Sequence, residues 1–276
     1  MGLRINTNVA SLTAQRNMFN VTGKLQGNFA RLASGQRIAS ASDDAAGLAI
    51  SERMRSQIRS YSVASRNAQD GLSLAQTAEG AMEELSNIVT RMRELAMQSA
   101  NGTYSQEDRD VLEEEFVALY TEIDRVATDS EFNGNNLLDG TFATVNIQVG
   151  IEDGEVITLD MEDLQSANLG GGTGLQNLSI LTDVGASAAL FFNDTATTEI
   201  YTSRGNVGAQ ANRLNSAMRS ILNARENLSA AESRIRDVDV AEETAELTKN
   251  SIMQQAAVSV LAQANSQPQI ALSLLQ

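Results

Sequence analysis

The sequence predicts a mainly α protein: a long antiparallel coiled-coil or helical bundle, a rod formed by the N- and C-terminal segments, with a small β-hairpin element in the middle. Three observations carry this. Apolar residues recur at helical spacing through both ends of the 276-residue chain. Proline occurs once, at Pro268, tryptophan not at all, and aromatics make up only 4% of residues, which suits thin helix packing better than a thick globular core. Between the two helical ends, one stretch alternates apolar and polar residues with a period of two. The ends must pack on each other, since neither stripe is buried alone.

The elements follow in chain order. In the first helix Val9, Leu12, Phe19, Leu25, Phe29 and Leu32 fall roughly on one face. "ASGQRIASASDDAAG" (33–47) breaks the pattern, and Ser42, Asp43 or Asp44 can cap the next helix by accepting from its unpaired backbone N–H groups. The second helix has the cleanest signal: Ile58, Tyr61, Ser65, Ala68, Leu72, Ala75, Glu79, Met82, Leu85, Val89, Met92 and Ala96 step by threes and fours, a coiled-coil seam. "ANGTYSQED" (100–108) ends it, with Gly102 as the expected C-cap and Ser105 opening the next helix. A third helix carries Leu112, Phe116, Leu119, Ile123 and Val126 and stops at "DSEFNGNNLLDG" (129–140). A hairpin is expected at about 141–162, turning at Asp153-Gly154, and "SANLGGGTGLQNLS" (166–179) reads as loop. Beyond Gly205 the stripe Val207, Leu214, Met218, Ile221, Leu228 and Ile235 predicts one final helix running to about Ala264.

Composition excludes several function classes. Without cysteine there is no disulfide framework or thiolate metal site, and without histidine the usual neutral-pH base and commonest metal ligand are absent. No constellation of residues supports an enzyme, a metal or a cofactor. The first residues lack the continuous apolar core of a cleaved signal peptide, and no apolar run approaches the roughly 20 residues that span a bilayer, so a membrane is not an expected partner. A net charge of −15 speaks against nucleic acid. That charge is unevenly placed: residues 1–66 hold nine basic and three acidic side chains, while Asn250 to Gln276 hold none of either. The uncharged, apolar-striped C-terminal segment is suited to burial against another surface.

Two sharper readings fail on local grounds. Asp43 and Asp44 are paired carboxylates, but Ser42 before them and "AAGLAI" after them favour helix capping. "GKLQGNFARLASG" (23–35) spaces its glycines without a preceding strand or a Lys-Ser/Thr ending, so it is not a phosphate loop. In "RMRELAMQ" (91–98), spacing turns Met92 to the core and places Arg91, Leu95 and Gln98 on part of another face, a solvated face with one stray leucine.

Several long motifs together resemble bacterial flagellin. They are "INTNVASLTAQRN" (5–17), "RLASGQRIASASDDAAGLAISERMRSQIR" (31–59), "RNAQDGLSLAQTAEGAM" (66–82), "RMRELAMQSANGT" (91–103), "EFNGNNLLDG" (131–140) and "SRIRDVDVAEETAELTKNSIMQQAAVSVLAQANSQPQIALSLLQ" (233–276). The resemblance covers about 1–140 and 204–276. It implies an inner, lumen-lining terminal coiled-coil domain from 1–45 plus 234–276. A shell domain of long helices would span 46–233, and no separate outer domain would follow, because only about 60 residues separate Gly140 from the final helix. It further implies a secreted, extracellular filament subunit that is exported unfolded and polymerises through its terminal helices, with Ile5, Asn8, Leu12, Val260, Leu261, Leu274 and Leu275 in the polymerising segments. The implied partners are further copies of the chain, an export chaperone, the filament cap and hook-junction proteins. By the same resemblance, Arg91, Leu95 and Gln98 with Glu115 form a shell assembly surface, which is also the vertebrate Toll-like receptor ligand site. A hook-filament junction protein would share similar termini, but the full match through 31–140 favours flagellin. A helical signalling rod would keep one long hairpin about a central tip, against the β-hairpin and the uncharged tail.

One stretch departs from that pattern. Before "SRGNVGAQANRL" (203–214) the family carries an amphipathic helical lead-in, whereas here stands "FFNDTATTEIYT" (191–202). The string also resembles translated sequencing-adapter DNA, so residues 191–202 are read as a sequence artefact or foreign replacement. Ala189, Phe192, Ala196, Ile200, Ser203 and Val207 still step by threes and fours, while Asn193, Asp194 and the threonines disfavour a helix by about 2–3 kcal/mol. A helix is expected from about Asp194 or later, frayed at its start, with Phe191 or Phe192 partly exposed.

Overall fold

Long helices dominate the computed structural model, which describes residues 7–273, with side chains described through Ser266. Five carry most of the chain: α1 (Val9–Ser34), α2 (Ala45–Ser99), α3 (Gln106–Asp129), α4 (Asp183–Arg236) and α5 (Val240–Ser273). Four short strands lie between α3 and α4: β1 (Glu131–Phe132), β2 (Asn135–Asn136), β3 (Thr144–Gln148) and β4 (Val156–Asp160). The chain divides into two compact units, one of residues 1–58 with 227–276, the other of residues 59–226.

In the 59–226 unit, α2 supplies the spine of the core. The expected seam is buried at Ser65, Ala68, Ala75, Met82, Leu85, Val89, Met92 and Ala96. Phe116 and Ile123 of α3 join them, with Leu159 of β4, Leu164, Leu169 and Leu175 of the following loop, and Ala189, Ile200, Val207 and Leu214 of α4. α3 starts where Ser105 and Asp108 form a reciprocal capping box, satisfying two of its otherwise unpaired N–H donors. Gly102 does not take the left-handed C-cap expected of it. α2 ends at Ser99 instead, and the turn closes through Asn101, whose carbonyl accepts from Tyr104 N and whose side chain accepts from Thr103 N.

β3 and β4 form the predicted antiparallel hairpin, in register Thr144↔Asp160 to Gln148↔Val156, with Gly154 at φ +83° in its turn. β1 and β2 make a second, two-residue ladder that the sequence reading passed over. Asn133 (φ +52°) and Gly134 (φ +79°) between them are the Asn-Gly pair that such tight turns demand. The loop from 161 to 182 is fastened by carboxylates: Asp124 accepts from Ser166 N, Glu113 from Ile180 N, and Glu199 from Gly170 N and Gly171 N.

The final helix differs from expectation in two ways. It begins at Asp183, more than twenty residues before Gly205, so 191–202 lies in the interior of α4 instead of at a frayed start. Packing overrides propensity there. Ala189, Asn193, Ala196 and Ile200 are fully buried, and the hydroxyls of Thr195, Thr197, Thr198 and Thr202 each donate to the carbonyl four residues back. Phe191 is 68% exposed, and its ring meets Phe192 edge-on at 5.4 Å.

Nor does the final helix continue unbroken to Ala264; it stops at Arg236 and restarts at Val240. The interruption pairs with the extended segment after α1: Arg37 N donates to Arg236 O and Val238 N to Gly35 O. Gly35 makes this possible by closing α1 at φ +70°. Asp239 then caps α5 by accepting from Ala241 N and Glu242 N, as Asp44 caps α2 through Ala46 N and Gly47 N.

The unit of 1–58 with 227–276 pairs α1 with α5, as the two-ended helical pattern requires. Only part of the expected face is used: Leu25 and Leu32 of the stripe are half-buried. Ser11, Ala14 and Asn28 of α1 are buried, while Val9, Leu12, Phe19 and Phe29 of the apolar stripe are exposed.

Candidate functional site

Two surfaces collect the residues singled out by sequence. The first lies where α2 and α3 run antiparallel, a geometry set by their short turn and the Ser105 cap. Arg91 of α2 donates to Glu115 of α3 at 2.8 Å and to Glu94 at 3.0 Å. The hydrogen bond that Glu115 accepts, then the one that Glu94 accepts, raises the basicity of the Arg91 guanidinium. Gln98 donates to the Tyr104 hydroxyl at 3.0 Å. All of these are exposed polar contacts, which orient side chains more than they stabilise the fold.

Leu95 does not belong to that exposed face. It is wholly buried among the core residues of α2 and α3. Leu95 stands only about 40° around α2 from Arg91, four residues on, but falls on the covered side. On α3, Val111 lies one turn before Glu115 on the same side and is exposed. Sequence reading missed it, because it lies off the Phe116–Ile123 core stripe.

The second surface is the outside of the α1/α5 pair. Val9, Leu12, Phe19 and Phe29 on α1, and Ile252, Val258 and Val260 on α5, are all more than half exposed. Leu261 is half-buried. Asn8 caps α1 by accepting from Ser11 N and ties α1 to α5 by donating to the Ala264 carbonyl at 2.7 Å. Ile5, Leu274 and Leu275 lie outside the described residues. The seam between the helices is mixed: Ala14 and Ala264 are buried in it, Val21 and Leu25 are half-buried, and Asn28 and Asn250, each 1% exposed, share a hydrogen bond of 3.0 Å. Several of the largest apolar groups therefore point outward while amides occupy part of the seam, unlike a self-sufficient coiled coil.

Among the described residues, no helix is long and apolar enough to cross a membrane, and no three potential ligands gather to hold a metal ion.

A helical chain whose terminal pair leaves large apolar side chains uncovered, and whose α2 and α3 carry an open surface of ordered charges, belongs to the class of self-assembling structural subunits, which complete their burial against further chains. The comparisons agree. Residues 5–143 match the bacterial flagellin N-terminal helical region and residues 192–275 the bacterial flagellin C-terminal helical region. A flagellin of Halalkalibacterium halodurans is 46% identical over 272 residues, covering 99% of both chains. A flagellar filament 30.7 kDa core protein of Treponema maltophilum is 42% identical over 282 residues, covering 98% of this chain and 99% of its own. The crystal structure of Bacillus cereus flagellin superposes with a TM-score of 0.51 at 35% identity, over 60% of this chain and 94% of that one. The chain belongs to the bacterial flagellin family, as a structural subunit of the flagellar filament.

Proposed function

We propose that the filament contacts of this chain are divided between the two surfaces, with the terminal segments 1–45 and 234–276 forming an inner layer and 46–233 a shell without a separate outer domain. The single observation behind this reading is the inversion of the α1/α5 pair: its large apolar residues face away from its own seam. Each copy buries Val9, Leu12 and Phe19 of α1 and Ile252, Val258, Val260 and Leu261 of α5 against neighbours. The absence of charge from 250 to 276 removes the cost of desolvating ions there. Ile5, Asn8, Leu274 and Leu275 extend the same contacts toward the chain ends.

Arg91, Gln98 and Glu115, with exposed Val111, form the shell contact, and Leu95 lies buried next to that surface. Family resemblance supports a second role for these residues as the ligand of a vertebrate Toll-like receptor. It also supports export of the unfolded chain with a chaperone on its C-terminal segment, and assembly outside the cell between hook-junction and cap proteins. Negative-stain images of seeded, purified chain test the filament reading: long filaments are expected, and short zones or amorphous material would count for a junction protein. A receptor reporter assay tests the immune role, with activation by the native monomer and its reduction in Arg91→Ala expected. A silent native monomer refutes it.

A further inference from the structure

We propose that the buried polar cluster of Asn28, Arg31, Glu243 and Asn250 is a register lock between α1 and α5, made of positioning residues for assembly. The inference rests on the filament reading above and extends it. Asn250 Nδ2 donates to Asn28 Oδ1 at 3.0 Å; Asn28 Nδ2 donates to Glu243 Oε1 at 2.6 Å; Arg31 Nε donates to the same oxygen at 3.0 Å. Both asparagines are 1% exposed, and Glu243 is largely covered. At the far end of the pair, Ser11 Oγ donates to Asn265 Oδ1 at 2.7 Å and Asn8 to the Ala264 carbonyl.

The rest of the seam is uninformative about register. Ala14, Met18, Val21 and Leu25 on α1, and Ala257 and Ala264 on α5, present small or flexible apolar groups that repeat every turn or two. A slide of one heptad replaces each with something similar. The polar cluster does not survive it intact: Ala257 takes the place of Asn250 beside Asn28, Asn250 takes that of Glu243, and the Glu243 carboxylate leaves both Asn28 and Arg31. Stranding buried polar groups is costly, whereas a buried asparagine pair discriminates strongly between registers while contributing little net stability. Register matters here because Leu12 and Phe19 must stand at fixed heights beside Val258 and Ile252 for a neighbouring copy to meet all four. A slide of seven residues displaces one helix by about 10 Å relative to the other.

The chain has no cysteine, so paired cysteines report register cleanly. Ser11→Cys with Asn265→Cys closes only in the native register; Met18→Cys with Asn265→Cys closes only after a one-heptad slide. Both pairs are placed in the full-length chain, in the native background and in an Asn28→Leu/Asn250→Leu background. They are treated with a short thiol crosslinker before and after seeding. The native background should close the first pair alone. The leucine background should raise the second at least about tenfold while still closing the first, and give shorter or irregular polymers. A leucine background that closes only the native pair overturns the proposal. So does one that closes neither, because the cluster would then hold the helices together instead of choosing their register. Failure of the native chain to polymerise counts against the filament reading, while the crosslink ratio on unpolymerised chain still decides register. A native chain that closes neither pair in either state refutes both.

Discussion

The helix pair α1/α5 and the bundle around α2 solve opposite problems with the same residue types. In the bundle, Met82, Leu85, Met92, Phe116 and Ile123 face inward and are fully buried, so its burial is complete within one chain. In the pair, amides and a carboxylate share the seam with small or half-buried apolar groups, while Val9, Leu12, Phe19, Phe29, Ile252, Val258 and Val260 face out. The bundle therefore owes its stability to its own core, and the pair is left to gain its stability from other copies. Both are amphipathic helices; only the direction of the apolar face separates a finished core from an unfinished one.

The comparison breaks most visibly at the core. Phe116→Ala should cost about 3–5 kcal/mol of stability, read by chemical denaturation of the free chain. A loss below about 1 kcal/mol would mean that the bundle is not self-sufficient. The contrasting change is Leu12→Ser with Phe19→Ser on the exposed stripe. Denaturation of the free chain should move by less than about 0.5 kcal/mol, as for surface sites generally, while the fraction pelleting after seeding collapses. Unchanged pelleting would remove the outer face of α1 from the assembly surface.

A smaller effect tests a flaw in the bundle. Asn193 is fully buried, and neither its amide nitrogen nor its oxygen has a partner among the described residues. Asn193→Leu should stabilise the bundle by about 1–3 kcal/mol, since it removes an unpaired buried amide. A destabilisation would show that the site is polar in solution. Smallest is the α3 cap. Ser105→Ala should cost about 1 kcal/mol, felt at the first turn of α3. Hydrogen bonds from the Ser105 hydroxyl and then its backbone N–H hold the Asp108 carboxyl below the usual carboxylate range. A carboxylate with a lowered folded pKa contributes above its unfolded pKa and loses that contribution as pH falls through the folded value. Protection of the amides at the start of α3, taken relative to the unfolded-chain exchange rate at each pH, should therefore fall on acidification below about pH 4, and that fall should vanish in Asp108→Asn.

The sequence disclosed the helices, the hairpin and the Ser105 and Asp44 caps, because each rests on a period or a local donor–acceptor rule. It disclosed less about direction. The stripe Val9–Leu12–Phe19–Phe29 was visible, but periodicity alone does not say whether the partner is in the same chain. The 237–239 break was hidden because it is held by backbone pairing with residues 35–37, a long-range condition, although Asp239 caps α5 locally. The helix through 191–202 was obscured for the opposite reason: its threonines and asparagine score poorly locally, and burial of Ala189, Ala196 and Ile200 decides the matter. Leu95 was misplaced because it stands only about 40° around α2 from Arg91, and tertiary packing decides on which side of that small angle the covered face begins. The Arg91–Glu115 contact emerged as the resemblance implied, at 2.8 Å.

The tie between residues 35–38 and 236–238 has a mechanical consequence. Both chain directions pass through it side by side, bound by two backbone hydrogen bonds and by Arg37 donating to the Ile235 carbonyl at 2.6 Å. Arg236 adds an ion pair to Glu52, whose carboxyl that contact holds below its usual range. A strand of α1 peeled back from its end cannot carry the loosening past Gly35 without α5 having loosened to Val238. The tie acts as a firebreak: α1 and α5 melt as one block and stop there, so heating the free chain should give an early, shallow transition before the main one.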